Sequence, residues 1–173
     1  MDIEELILLK EHSQLLVMRS WRNEIPEEQR NIIISEALNS CTVDKNFKVI
    51  GYLITSRRVF LIGSSETTPF QKILQHFYRQ VALGILNYKN RTRHYHEEPY
   101  IELEHYEPLF LEYPFYNMYI RKLITGRDVE LPYYDPHLAR LKDYIQNYNY
   151  CSALDYEGGK SPVIVSTDTI ILE

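Results

Sequence analysis

An α+β fold built on one antiparallel sheet is what this 173-residue sequence predicts, on three observations. The length suits one sizeable core and not two, so residues 1–173 are expected to form a single domain. Apolar runs of β composition alternate with stretches of helical three-and-four spacing. Two of those β runs, residues 47–54 and 58–63, are separated only by Thr55, Ser56 and Arg57, the length of a hairpin connection.

Residues 13–19 (SQLLVMR) form a short apolar run ending in charge, which reads as the first strand. Pro26 and two following acids then suit the first turn of a helix. Ile33, Ile34, Ala37, Leu38 and Cys41 continue it as an amphipathic stripe over about residues 26–40, with Asn39 and Ser40 as terminators. The runs FKVIGYLI and RVFLIG are expected to be central strands paired as a hairpin.

Thr68-Pro69-Phe70-Gln71 has the form of a capping box with proline at the first helical position. Phe70, Ile73, Leu74, Phe77, Val81 and Ile85 give this second helix a core side, and Lys72 and Arg79 give it a basic side. Residues 94–107 alternate in part and are expected to supply a fourth strand, which Pro99 assigns to an edge. The core then spans about residues 13–105, and the aromatic and proline-rich stretch 106–135 is an elaboration containing a short helix over 116–125, ended by Gly126.

Asp135-Pro136 opens a third helix to about residue 150, with Leu138, Leu141, Ile145 and Tyr148 on its buried side. After Gly158-Gly159, residues 162–172 (PVIVSTDTIIL) have β composition, suited to closing the sheet or pairing with a second copy of the chain. The order strand, helix, strand, strand, helix, strand is that of a ferredoxin-like split βαβ fold, with the helices on one face of the antiparallel sheet.

Composition narrows the function. Cys41 and Cys151 lack CxxC spacing, and the opening MDIEELILLK has neither a basic leader nor the length to span a bilayer. A cytoplasmic location with no disulfide and no membrane contact is therefore expected. The net charge of −5 argues against a surface covered in phosphate contacts, but it conceals a block. Residues 57–93 set Arg57, Arg58, Lys72, Arg79, Lys89, Arg91 and Arg93 against Glu66 alone, a balance of +6 against −11 elsewhere. A one-sided block in an acidic chain points to an anionic partner. The GxxxxGKS/T, GxGxxG, GxSxG and HExxH patterns of common nucleotide and hydrolase sites are absent from the sequence.

The segments LLVMRSWRNEIPEEQRNIIISEAL, FKVIGYLITSRRVFLIGSS and PFQKILQHFYRQVALGILN, in this order over about residues 13–90, resemble the single-tyrosine HUH transposases of single-strand insertion sequences and REP-associated elements. The resemblance implies a mobile-element domain that binds single-stranded or hairpin DNA. In that family two His flank a hydrophobic residue on the strand after the hairpin turn and hold a divalent metal such as Mg2+. Here Arg58 stands at the first His position, Val59 at the hydrophobe and Phe60 at the second.

A guanidinium and a phenyl ring offer no lone pair to a metal, so no metal ligand and no cofactor are assigned. The implied protein is a degenerate transposase-like domain without metal-dependent cleavage. The run Lys142-Asp143-Tyr144-Ile145-Gln146-Asn147-Tyr148 is similar to the family's nucleophile helix and puts Tyr144 at the catalytic position, with Tyr148 where some relatives carry a metal-binding Gln. DNA contacts fall to Arg57, Arg58, Lys72, Arg79, Lys89, Arg91 and Arg93, with Arg58 exchanging a metal-mediated phosphate contact for a direct one.

Two alternatives stay open. His94-Tyr95-His96, with Glu97, Glu98 and His105 nearby, is itself a His-hydrophobe-His sequence and suits a relocated metal site serving a Tyr144-dependent transposase or nickase. The aromatic residues 113–119 and Tyr133-Tyr134 suit a protein-interaction module or a homodimer contact. His12, His76 and His137 read as surface or satisfied core residues.

Overall fold

The computed structural model describes residues 11–92 and 108–167. In chain order the elements are β1 (His12–Met18), a 3-10 turn (Ser20–Glu24), α1 (Glu27–Lys45), β2 (Lys48–Ile54), β3 (Arg58–Ser64), α2 (Phe70–Thr92), β4 (Phe110–Tyr113), α3 (Met118–Ile124), α4 (Pro136–Gln146) and α5 (Ala153–Tyr156). The strands lie in the order β2-β3-β1-β4, antiparallel throughout. β1 and β2, joined through α1, have β3 between them, which is the expected ferredoxin-like split βαβ arrangement.

Local chemistry accounts for the joints. The β2–β3 turn is closed by Thr55, whose N–H donates to the Arg58 carbonyl at 2.8 Å and whose hydroxyl accepts the Arg58 N–H at 3.0 Å. α1 runs five residues past the expected stop at residue 40. Asn39 and Ser40 stay helical because their side chains are engaged elsewhere: Asn39 pairs with the backbone at Pro162 and Ile164, and Ser40 with Asp44 and His76. Asn46 ends the helix instead, in the left-handed conformation at φ 55°, and the Phe47 N–H turns back to the Cys41 carbonyl.

The Thr68 hydroxyl donates to the Lys45 carbonyl and so ties the start of α2 to the end of α1. The two helices cross at Gly84, where an added Cβ would stand 2.7 Å from Ile33 Cγ2. α4 stops at Gln146, short of residue 150, with the Asn147 amide side chain donating to the Asp143 carbonyl.

The fourth strand, expected within 94–107, falls there on residues outside those described, and the strand paired with β1 is Phe110–Tyr113, inside the stretch assigned to the elaboration. Phe110 decides its place by filling the space beside Trp21, Phe77 and Tyr78 at ring separations of 5.5 to 5.8 Å. The C-terminal β run is represented by one parallel bridge from Val165 to Val49, and residues 168–173 lie outside those described.

α1 and α2 cover one face of the sheet, as expected, burying Leu16, Tyr52, Ile54, Val59 and Leu61 against Ile34, Leu38, Leu74, Phe77 and Val81. The opposite face is covered as well. Ile50, Leu53, Phe60 and Ile62 pack there against Phe115, Ile120, Ile124, Ile145, Cys151 and Ala153, a second core supplied by residues 115–153.

The free edge of β2 is held by the chain after α4. The Ile54 N–H donates to the Tyr150 carbonyl at 3.0 Å, and Ser152 N–H to the Tyr52 carbonyl at 3.0 Å. The fully buried Ser152 hydroxyl accepts the Tyr52 N–H at 2.8 Å and donates to the Ile124 carbonyl at 2.5 Å. Replacing Ser152→Ala leaves a buried N–H and a buried carbonyl unpaired, so the variant is expected to lose about 1–3 kcal/mol of stability in urea denaturation with an unchanged m-value.

Candidate nucleic-acid interface

The residues at the two His positions of the resembling family share one face of β3 but differ in burial. Phe60 points into the second core, 8% exposed, with its ring 5.2 Å from that of Phe115. Arg58 is exposed beside Arg57 at the hairpin turn. A buried phenyl and a solvated guanidinium do not fit a divalent metal, in chemistry or in placement. Among the described residues no group of three or more His, Cys, Asp or Glu side chains could hold a metal ion, and His94, His96 and His105 lie outside them.

Tyr144 lies on the last turn of α4, 44% exposed, its ring 4.9 Å from that of Tyr148 and inclined by 31°. The Tyr148 ring is in turn 6.0 Å from Tyr150, whose carbonyl is bonded to Ile54 at the end of β2. Partial burial, reinforced by the Glu27 charge, raises the Tyr144 hydroxyl above the ordinary phenol range. A nucleophilic tyrosine needs the opposite shift or a metal beside it, and nothing in the described surroundings of Tyr144 supplies either.

The seven basic residues divide. β3 leads away from the hairpin, and α2 returns toward it, as the 2.6 Å ion pair between Lys89 and Glu24 shows. Arg57 and Arg58 are therefore exposed at the hairpin turn, the exposed Arg91 lies toward the same end of the sheet on α2, and Tyr150, after α4, meets β2 at that end. Lys72 and Arg79 are exposed farther along α2, with Lys72 about 28 Å from Arg91 along the helix axis. Lys89 already has a partner in Glu24, and Arg93 lies outside the described residues.

Arg30 holds this end together and carries no signal in sequence. Its guanidinium donates to the carbonyls of Arg22 (2.7 Å), Ile25 (2.8 Å) and Ser56 (3.2 Å), joining the 3-10 turn, α1 and the hairpin turn. Phe115 was equally unmarked as the residue covering Phe60; the uninterrupted apolar runs of β2 and β3 were the available clue, since strands buried on both faces lose polar alternation.

One cluster has the composition of a hydrolase triad without its geometry. Ser40 Oγ lies 2.9 Å from His76 Nε2 and 2.9 Å from Asp44 Oδ2. Asp44 approaches the same nitrogen, at 3.5 Å, whereas a catalytic acid must hold the other ring nitrogen so that the first can act as base. Ser40, Asp44 and His76 are thus a polar staple between α1 and α2. Two open clefts, of about 330 and 490 Å3, flank Lys142, whose ammonium is bound to the Val129 carbonyl. Neither brings a nucleophile to a base.

The aromatic surface is exposed as expected: Tyr116, Tyr133 and Tyr134 are between 65% and 81% accessible, with Tyr113 and Met118 about half so. Among the described residues no helix is long and apolar enough to cross a membrane. Comparison with protein-family models, with curated proteins and with solved structures finds no match.

The site generates two predictions. Substituting both Arg58→His and Phe60→His buries an imidazole under Phe115, so the variant should be destabilised and should show no gain in Mn2+ affinity by calorimetry. Burial pushes the Cys41 and Cys151 thiols from the usual 9.0 up to about 12, and raises the Tyr52, Tyr78 and Tyr148 hydroxyls. The folded state then keeps protons that the unfolded chain releases. Stability is thus fully present below the ordinary thiol range and is lost as pH rises from 9.0 toward about 12, measurable as a falling urea midpoint.

Proposed function

We propose that this chain is a degenerate transposase-like domain that binds single-stranded or hairpin DNA and has no metal-dependent cleavage. The observation that carries the reading is the contrast in burial between Arg58 and Phe60 on one strand face: one is exposed in a cationic turn, the other is sealed in a core. Retaining the fold while exchanging metal ligands for a phosphate-binding cation and a packing residue keeps a DNA-facing surface and discards its chemistry. The fold supports the reading as well, because it is the one the resemblance implies. We place the protein in the cytoplasm, where the unpaired, buried Cys41 and Cys151 remain thiols.

A protein-interaction module is the second reading, favoured by the exposed Tyr116 and Tyr134. Oligonucleotide titration followed by fluorescence anisotropy, run beside light scattering, separates the two. DNA binding should weaken steeply with salt, and changing Arg57, Arg58, Lys72 and Arg79 together to Ala should lower the affinity at least tenfold and flatten the salt slope. Absent or salt-independent binding, with self-association that persists in the quadruple variant, would favour the interaction module.

A further inference from the structure

Resting on the DNA-binding reading, we propose that Tyr144, backed by Tyr148, is a stacking surface for an unpaired nucleobase. Three observations point there. The rings of Tyr144, Tyr148 and Tyr150 form a tilted aromatic ladder with separations of 4.9 and 6.0 Å and inclinations of 31° and 59°, and its outermost member keeps 44% of its surface in solvent. One part of the Tyr144 ring is covered by a neighbour and the remainder is open, as a base-stacking platform requires.

The ladder is also held in place. Tyr148 packs against the second core and Tyr150 against the first, so little side-chain freedom remains in these two rings to be lost when a base arrives. A loose surface tyrosine would lack this preorganisation.

The third observation is the surrounding charge. Tyr150 meets β2 at Ile54, one residue before the turn that displays Arg57 and Arg58, and Arg30 binds Ser56 in that turn one helical turn after Glu27. Glu27 acts on both Tyr144 and Tyr148. The sugar-phosphate chain passes along the exposed Arg57 and Arg58 while the uncharged base turns onto Tyr144. A base inside a duplex has both faces covered, so the surface selects single strands, loops or ends.

The proposal separates ring from hydroxyl, the opposite demand to that of a nucleophile. The test uses the full chain and a short labelled single-stranded DNA, the same strand with abasic positions, and its duplex, with circular dichroism to establish folding of each variant. Tyr144→Phe should bind the single strand as the unchanged protein does, and Tyr144→Ala about tenfold or more weaker, with no further loss on the abasic strand. Tyr144→Trp adds a direct signal, since the native Trp21 is buried: its fluorescence should be quenched by the single strand and not by the abasic one.

If Tyr144→Ala binds as tightly as the unchanged protein while Arg57→Ala with Arg58→Ala weakens binding, the stacking role is wrong and the DNA-binding reading stands. If the unchanged protein binds none of the three probes, the DNA-binding reading itself falls. A Tyr144→Phe variant as weak as Tyr144→Ala overturns the stacking role in favour of one for the hydroxyl.

Discussion

β2 and β3 carry apolar side chains on both faces, and that obliges the sheet to be covered twice. An antiparallel sheet with one wet face alternates polar and apolar residues; here every residue from Val49 to Ile54 and from Val59 to Gly63 is buried. α1 and α2 provide one cover. The other is assembled from short pieces: Phe115, α3, α4 and the turn that carries Cys151, Ser152 and Ala153. Such pieces are too short to be stable alone, so their positions come from packing and from buried polar ties. Ser152 is the chief of these ties, since one hydroxyl answers β2 and the carbonyl end of α3 together.

The second cover decides what the site is. A side chain at position 60 faces into it, and a phenyl ring there contributes about 1.5–3 kcal/mol of burial, whereas an imidazole would have to be desolvated and given a partner. The same cover sets α4 against the sheet through Ile145, and this leaves the ring of Tyr144 half exposed. The stability of this face and the inability of position 60 to offer a metal ligand follow from one packing arrangement.

Polar contacts at the hairpin end convert this packing into a defined surface. Arg30 fixes Ser56 and therefore the presentation of Arg57 and Arg58. Tyr150 fixes the end of β2 and supports the tyrosine ladder. Lys89, by contrast, is paired with Glu24, so among the described residues the charge that the sequence places in one block is distributed by the fold into a cationic turn, a paired lysine and three further positions along α2. Linear proximity within a helix of 23 residues does not amount to proximity on a surface.

The sequence by itself determined the class of fold, the hairpin of β2 and β3, the amphipathic helices α1 and α2, and the incapacity of residues 58 and 60 to bind metal. Each of these follows from local chemistry: three-and-four spacing, β-branched runs, turn residues and the absence of a lone pair. Only the tertiary structure decided where α1 stops, because Asn39 and Ser40 find partners distant in sequence that keep them helical. It also decided that Phe110 belongs to the sheet, that Phe115 closes over Phe60, and that Arg30 and Ser152 hold the ends together. These outcomes rest on contacts between residues up to 125 positions apart, whose geometry exists only once both faces of the sheet are covered.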